Sequence, residues 1–141
     1  MNAETILNAA IGVLQRRGRC RGHFETRDGK VCQLGALAVA AGHEPDLWMG
    51  LRDLTFEKLG QADRVLVEAA RILAQVEAPM QPVREMSLDQ VVTLLGDSND
   101  IASDSEVFTF LSRAARVAAA RESWRSVWRG AARLAEKAGA A

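Results

Sequence analysis

The side chains best suited to chemistry are Cys20, His23, Cys32 and His43, together with the run Asp97-Ser98-Asn99-Asp100. Cys32 precedes an apolar segment that reads as a helix, and a thiol near a helix N-terminus can be activated as a nucleophile. Asp28-Gly29 is the preferred two-residue hairpin turn. With those turn residues Thr26 pairs with Val31, Glu25 with Cys32 and His23 with Leu34, so His23, Glu25 and Cys32 share one face as a Cys-His-Glu arrangement. The plainer reading is that Cys32 packs as a small hydrophobe, the usual fate of a buried free cysteine. Cys20, His23, Cys32 and His43 also match the donor types of a tetrahedral zinc site. Their spacing argues against one, because ten residues assigned to a helix separate Cys32 from His43, and no metal or other cofactor is expected. The Asp97–Asp100 run could hold a hard cation, but such residues more often make turns by bonding their own backbone.

A different chemistry lies near the C-terminus. Trp124, Val127, Trp128, Ala131, Leu134 and Ala135 fall on one helical face, flanked by Arg121, Arg125, Arg129 and Arg133. Tryptophan and arginine are enriched at interface hot spots, and an arginine row can also meet phosphates. The ordinary alternative is an amphipathic helix whose tryptophans enter the core while arginine stems cover the rim.

Helical elements must position these groups. Ile6, Leu7, Ala10, Ile11, Val13 and Leu14 recur at helical spacing, with Arg16 and Arg17 in the last turn and Gly18 as the stop. A β-hairpin is expected near residues 23–34. Leu34 to Ala41 reads as a buried helix ending at Gly42, Pro45 to Leu54 as a short one, and Gln61 to Val76 as a long amphipathic one. Two prolines make residues 78–82 a linker. Ser87/Gln90 and Ser103/Glu106 have capping-box spacing, opening helices through Leu95 and through about Ala120, and Glu122–Ala138 is the last helix. The expected fold is mainly α, a single domain over residues 1–141: a bundle of about six helices with one small β-hairpin.

Composition narrows the function classes. At 141 residues and 48% apolar content the chain can bury one ordinary core. No apolar run is long enough for a membrane span, and Glu4 stands where a secretory signal would be positive. Two cysteines are too few for a disulfide scaffold, so the cytoplasm is the expected compartment, the host's if a phage encodes the chain. A net charge of zero conceals unevenness. Residues 16–30 carry six basic against two acidic side chains, residues 31–111 five against thirteen, and residues 112–141 seven against two.

Three segments resemble a known family. They are Gly18-Arg19-Cys20-Arg21-Gly22, Asp28-Gly29-Lys30-Val31-Cys32-Gln33-Leu34-Gly35-Ala36-Leu37, and Ser98-Asn99-Asp100 with Glu106-Val107. They look like an uncharacterised family, a domain of unknown function, of small actinobacterial and phage proteins. Its motifs are Gly-Trp-Cys, Cys-x-x-Gly-Ala-Leu and Trp-Asn-Asp. Arg19 and Ser98 stand where that pattern has tryptophans. The resemblance implies a structural motif of Cys32, Gly35, Asn99 and Asp100, with Asn99 or Asp100 tying its segment to the hairpin backbone, and it carries no reaction.

The sequence therefore points to a non-enzymatic accessory protein, phage-derived or carried by a mobile element. It would act as an adaptor, a host-factor inhibitor or a minor structural component, by binding an unidentified protein or by self-association. The partner-binding residues would be Trp124, Trp128, Arg121, Arg125, Arg129 and Arg133. One alternative is a thiol-dependent enzyme using Cys32 with His23 or His43; another is nucleic-acid binding through the C-terminal arginines.

Overall fold

The computed structural model describes residues 1–140, of which six α-helices are the main content, at 73% helix. They are α1 (Ala3–Arg17), α2 (Gln33–Ala40), α3 (Leu47–Leu51), α4 (Gln61–Glu77), α5 (Leu88–Ile101) and α6 (Asp104–Ala140). Single 3-10 turns at Phe56–Lys58 and Val83–Glu85 flank α4.

Local chemistry explains the boundaries. The Asn2 side chain accepts from Thr5 N at 2.9 Å and opens α1, which Gly18 closes. Both capping boxes form. Ser87 N donates to Gln90 Oε1 at 2.8 Å and Gln90 N to Ser87 Oγ at 3.1 Å; the Ser103/Glu106 pair does the same at 3.0 and 3.2 Å. α1 packs between α2 and α6, and α4 packs against α5, α6 and α1. One contiguous core results, with Leu7, Leu37, Leu66, Leu73, Leu95 and Leu111 fully buried. Trp48 of α3 is buried as well and spends its indole N–H on Leu34 O at 2.7 Å.

The expected β-hairpin is absent: among the described residues there is no strand, only two isolated bridges, both at Val31. Val31 pairs in parallel with Arg19 and antiparallel with Glu25. The turn takes Thr26 to Gly29, with Gly29 N donating to Thr26 O at 3.0 Å and Thr26 N to Lys30 O at 2.9 Å. Gly29 supplies the positive φ of 87°. That wider turn puts Glu25, not Thr26, opposite Val31, and the register moves by one residue. The ladder ends there because α2 begins at Gln33. Val31 itself serves the other flank, with its N–H on Gly18 O and its carbonyl accepting from Cys20 N.

Two further boundaries differ from expectation. α5 continues through Asp97–Asp100 to Ile101, so that run is helix rather than turn. The segments assigned to separate helices before and after residue 121 form one continuous α6 of 37 residues.

Candidate functional site

Cys32 caps α2 through sulfur: its Sγ accepts from Gly35 N at 3.4 Å. Burial outweighs that bond and pushes the thiol up to about 11, so it stays protonated and weakly nucleophilic near neutrality. Burial raises the Cys20 thiol as well, and Cys20 Sγ lies 3.3 Å from His23 O. With the shifted register His23 and Glu25 are exposed while Cys32 is buried. All three border a cleft of about 750 Å³ between the 22–25 loop, α3 and α5, whose rim also carries Asp46, Asp97 and Asp100. Glu25 is held by Arg17. His43 sits apart, 3.8 Å from Asp63. Among the described residues no cluster of three or more His, Cys, Asp or Glu could hold a metal ion.

The polar groups that converge do so at the C-terminal end of α5. Asn99 is fully buried and uses both ends of its amide: Oδ1 accepts from Gln33 N at 3.0 Å, and Nδ2 donates to Cys20 O at 2.9 Å. One side chain thus joins α5 to the first residue of α2 and to the 18–32 loop. Asp100 Oδ1 accepts from Gly22 N at 2.8 Å. Two arginines on the same loop then take the carbonyls that a helix end leaves without partners. Arg19 donates to Asn99 O, to Ala102 O at 2.7 Å and to Asp104 Oδ1 at 2.7 Å, while Arg21 donates to Asp100 O and Ala102 O, each at 3.1 Å. Gly35 completes the clasp, because a Cβ there would lie 2.4 Å from Phe24 O.

Next to this clasp is a buried polar pair that sequence reasoning missed. Gln33 Nε2 donates to Glu77 Oε1 at 2.9 Å and to Leu95 O at 2.8 Å, and Ser98 Oγ donates to the same Glu77 oxygen. Gln33 Oε1 and Glu77 Oε2 are buried with no hydrogen-bond partner. Desolvation raises the Glu77 carboxyl to about 7 against the pull of the Ser98 and Gln33 bonds. The sequence did hold a signal: Glu77 is an acid at a helix C-terminus, where the macrodipole disfavours it. Gln33 is likewise the only polar residue of α2.

The C-terminal candidates are not core. Among the described residues Ala118 is the last buried side chain of α6. Beyond it Trp124 is 64% exposed, Val127 60%, Trp128 70% and Leu134 69%. Arg125 reaches back to Glu68 of α4 at 2.7 Å, and Glu122 lies within ion-pair distance of both Arg125 and Arg129. The outer helix therefore presents a bare apolar stripe at heptad spacing with cationic flanks. Among the described residues no helix is long and apolar enough to cross a membrane.

Comparison with known proteins bears on the inner part. The chain belongs to DUF6197, a family of unknown function whose model matches residues 1–117. No curated protein and no solved structure matches it. The matched span includes the clasp and nearly all of the buried part of α6, ending one residue before Ala118.

Proposed function

We propose that this DUF6197 member is a non-enzymatic accessory protein that works by protein–protein contact through the outer half of α6. One observation carries the reading: two tryptophans, a valine and a leucine stand uncovered on one face of a helix that continues out of the packed body. Isolated exposed apolar residues are common on protein surfaces, whereas a contiguous stripe rich in tryptophan is what interface hot spots are made of. The body would then act as a scaffold. Its most elaborate polar chemistry, the bonds of Asn99, Arg19 and Arg21, is spent within its own chain, mainly on backbone groups. The likeness to small actinobacterial and phage proteins supports a phage or mobile-element context, with the partner a host or phage protein.

The alternatives are weaker on specific grounds. A thiol enzyme would need Cys32 ionised, and burial opposes that. A nucleic-acid reading would need the arginine row available to phosphates, yet Arg125 and Arg129 are engaged by Glu68 and Glu122.

Site-specific photocrosslinking in the cells that make the protein tests this. A photoreactive side chain at Ala131, on the stripe, should give a protein adduct that the Trp124→Ala/Trp128→Ala double variant loses, while the same group at exposed Asp53 gives none. Absence of any adduct at position 131 would refute the reading.

A further inference from the structure

The outer face of α6 leaves Trp124, Val127, Trp128 and Leu134 uncovered by the body of the fold. We infer that this face pairs with its counterpart on a second copy of the chain, the two helices running antiparallel. The inference rests on the contact role proposed above and names the occupant.

The first ground is shape. Along the stripe, bulk and smallness are segregated: Trp124, Val127 and Trp128 come first, then Ala131, Ala135 and Ala138, with Leu134 between the alanines. A parallel pair would stack indole on indole at one end and leave alanine facing alanine at the other. An antiparallel pair with its two-fold axis level with residues 129–130 sets Trp124 against Leu134 and Ala135 of the second copy, and sets Val127 and Trp128 against its Ala131. Val127 and Trp128 then meet an alanine, Trp124 meets an alanine and a leucine rather than a second indole, and both copies use the same patch, as a two-fold interface requires. In heptad terms Trp124, Ala131 and Ala138 take one seam position, Val127 and Leu134 the other, and Trp128 and Ala135 widen it on the same side.

The second ground is area. Two indoles about two-thirds exposed offer on the order of 300 Å², and Val127, Leu134 and the alanines bring the stripe to roughly 500 Å² per chain. Two copies together would bury about 1,000 Å², the lower bound for a specific interface.

The third ground is charge. Residues 121–137 carry Arg121, Arg125, Arg129, Arg133 and Lys137 against Glu122 and Glu136, so two such helices repel one another weakly. Apolar contact must supply the attraction, and added salt, which screens the repulsion, should tighten the pair. An acidic protein or nucleic-acid partner would show the opposite dependence.

Sedimentation equilibrium on the full chain reads the outcome directly. The mass should rise from 15.3 kDa to twice that with concentration, and the association should hold or tighten between 0.1 and 0.5 M salt. Trp124→Ala/Trp128→Ala should weaken it by at least ~30-fold with helical content retained, since neither indole is core. Orientation is read by disulfide trapping under a mild oxidant. A mixture of Val127→Cys and Ala131→Cys chains, one carrying a size tag, should give the mixed dimer, and either variant alone should give little. Self-crosslinking by each variant alone would overturn the antiparallel arrangement. A monomer at millimolar concentration would overturn self-pairing altogether. In that second case the contact role survives only if the photoreactive group at position 131 still captures a different protein, so the two ideas fail separately.

Discussion

Raising the pH through neutrality should weaken this fold, and Glu77 should be the reason. Its carboxyl is raised from an ordinary 4.5 to about 7 by burial, against the pull of its hydrogen bonds from Gln33 and Ser98. A folded-state value above the unfolded one means that the native state holds the proton more tightly. The associated stability is complete below 4.5, is lost as pH climbs through about 7, and stays lost above it. Each tenfold change in proton affinity is worth about 1.4 kcal/mol, so the full loss is on the order of 3 kcal/mol, a large share of a small domain's stability. Asp28 and Glu106, both lowered by hydrogen bonds, act below the ordinary carboxylate range and leave this window alone. Glu77→Gln isolates the effect. The amide oxygen can accept from Gln33 and Ser98 as Oε1 does, and nothing is left to ionise. Urea unfolding followed by circular dichroism, at one fixed chain concentration for both proteins, should give similar stabilities at pH 5. At pH 8.5 the variant should be more stable by up to about 3 kcal/mol. A difference between the two proteins that stays constant from pH 5 to 8.5 would refute the reasoning.

Three other perturbations have defined outcomes. Asn99→Ala removes the acceptor of Gln33 N and the donor to Cys20 O inside the core, and should cost about 2–4 kcal/mol in the same unfolding assay. Gly35→Ala drives a Cβ into the Phe24 carbonyl, a backbone atom with no easy retreat, and should cost about 2 kcal/mol or more, seen as a lowered melting temperature. Cys32 should resist iodoacetamide at pH 8 in the native protein and react once urea unfolds it, as mass spectrometry of the peptide would report.

What could be read from the sequence followed local physics, and what could not depended on contacts far along the chain. Apolar spacing located α1 and α4, and both capping boxes were legible because a serine and an acid or amide three residues on is a self-contained signal. The turn dipeptide Asp28-Gly29 was ambiguous: the same two residues serve a two-residue turn or the end of a four-residue one, and the register follows the loop that wins. Residues 120–122 contain no glycine or proline, so the division of α6 there rested on a change in composition rather than on a backbone signal. Amphipathic spacing likewise marks a stripe without saying whether anything covers it, and the exposure of Trp124 and Trp128 emerged only from the packing of α6. The carboxamide of Asn99 could be singled out as a tie between segments. Its partners Gln33 and Cys20, distant in sequence, could not be named without coordinates.

The unbroken run of α6 has a mechanical consequence. At about 1.5 Å per residue its 37 residues make a rod of roughly 55 Å, clamped along its inner half between α1 and α4. Asp104, at the clamped tip, is a ligand of Arg19, whose guanidinium also seals the end of α5. Load on the outer half would be borne first where Val107, Leu111, Ala114 and Ala118 seat the rod in the core, with the Asp104–Arg19 pair behind them at the far tip.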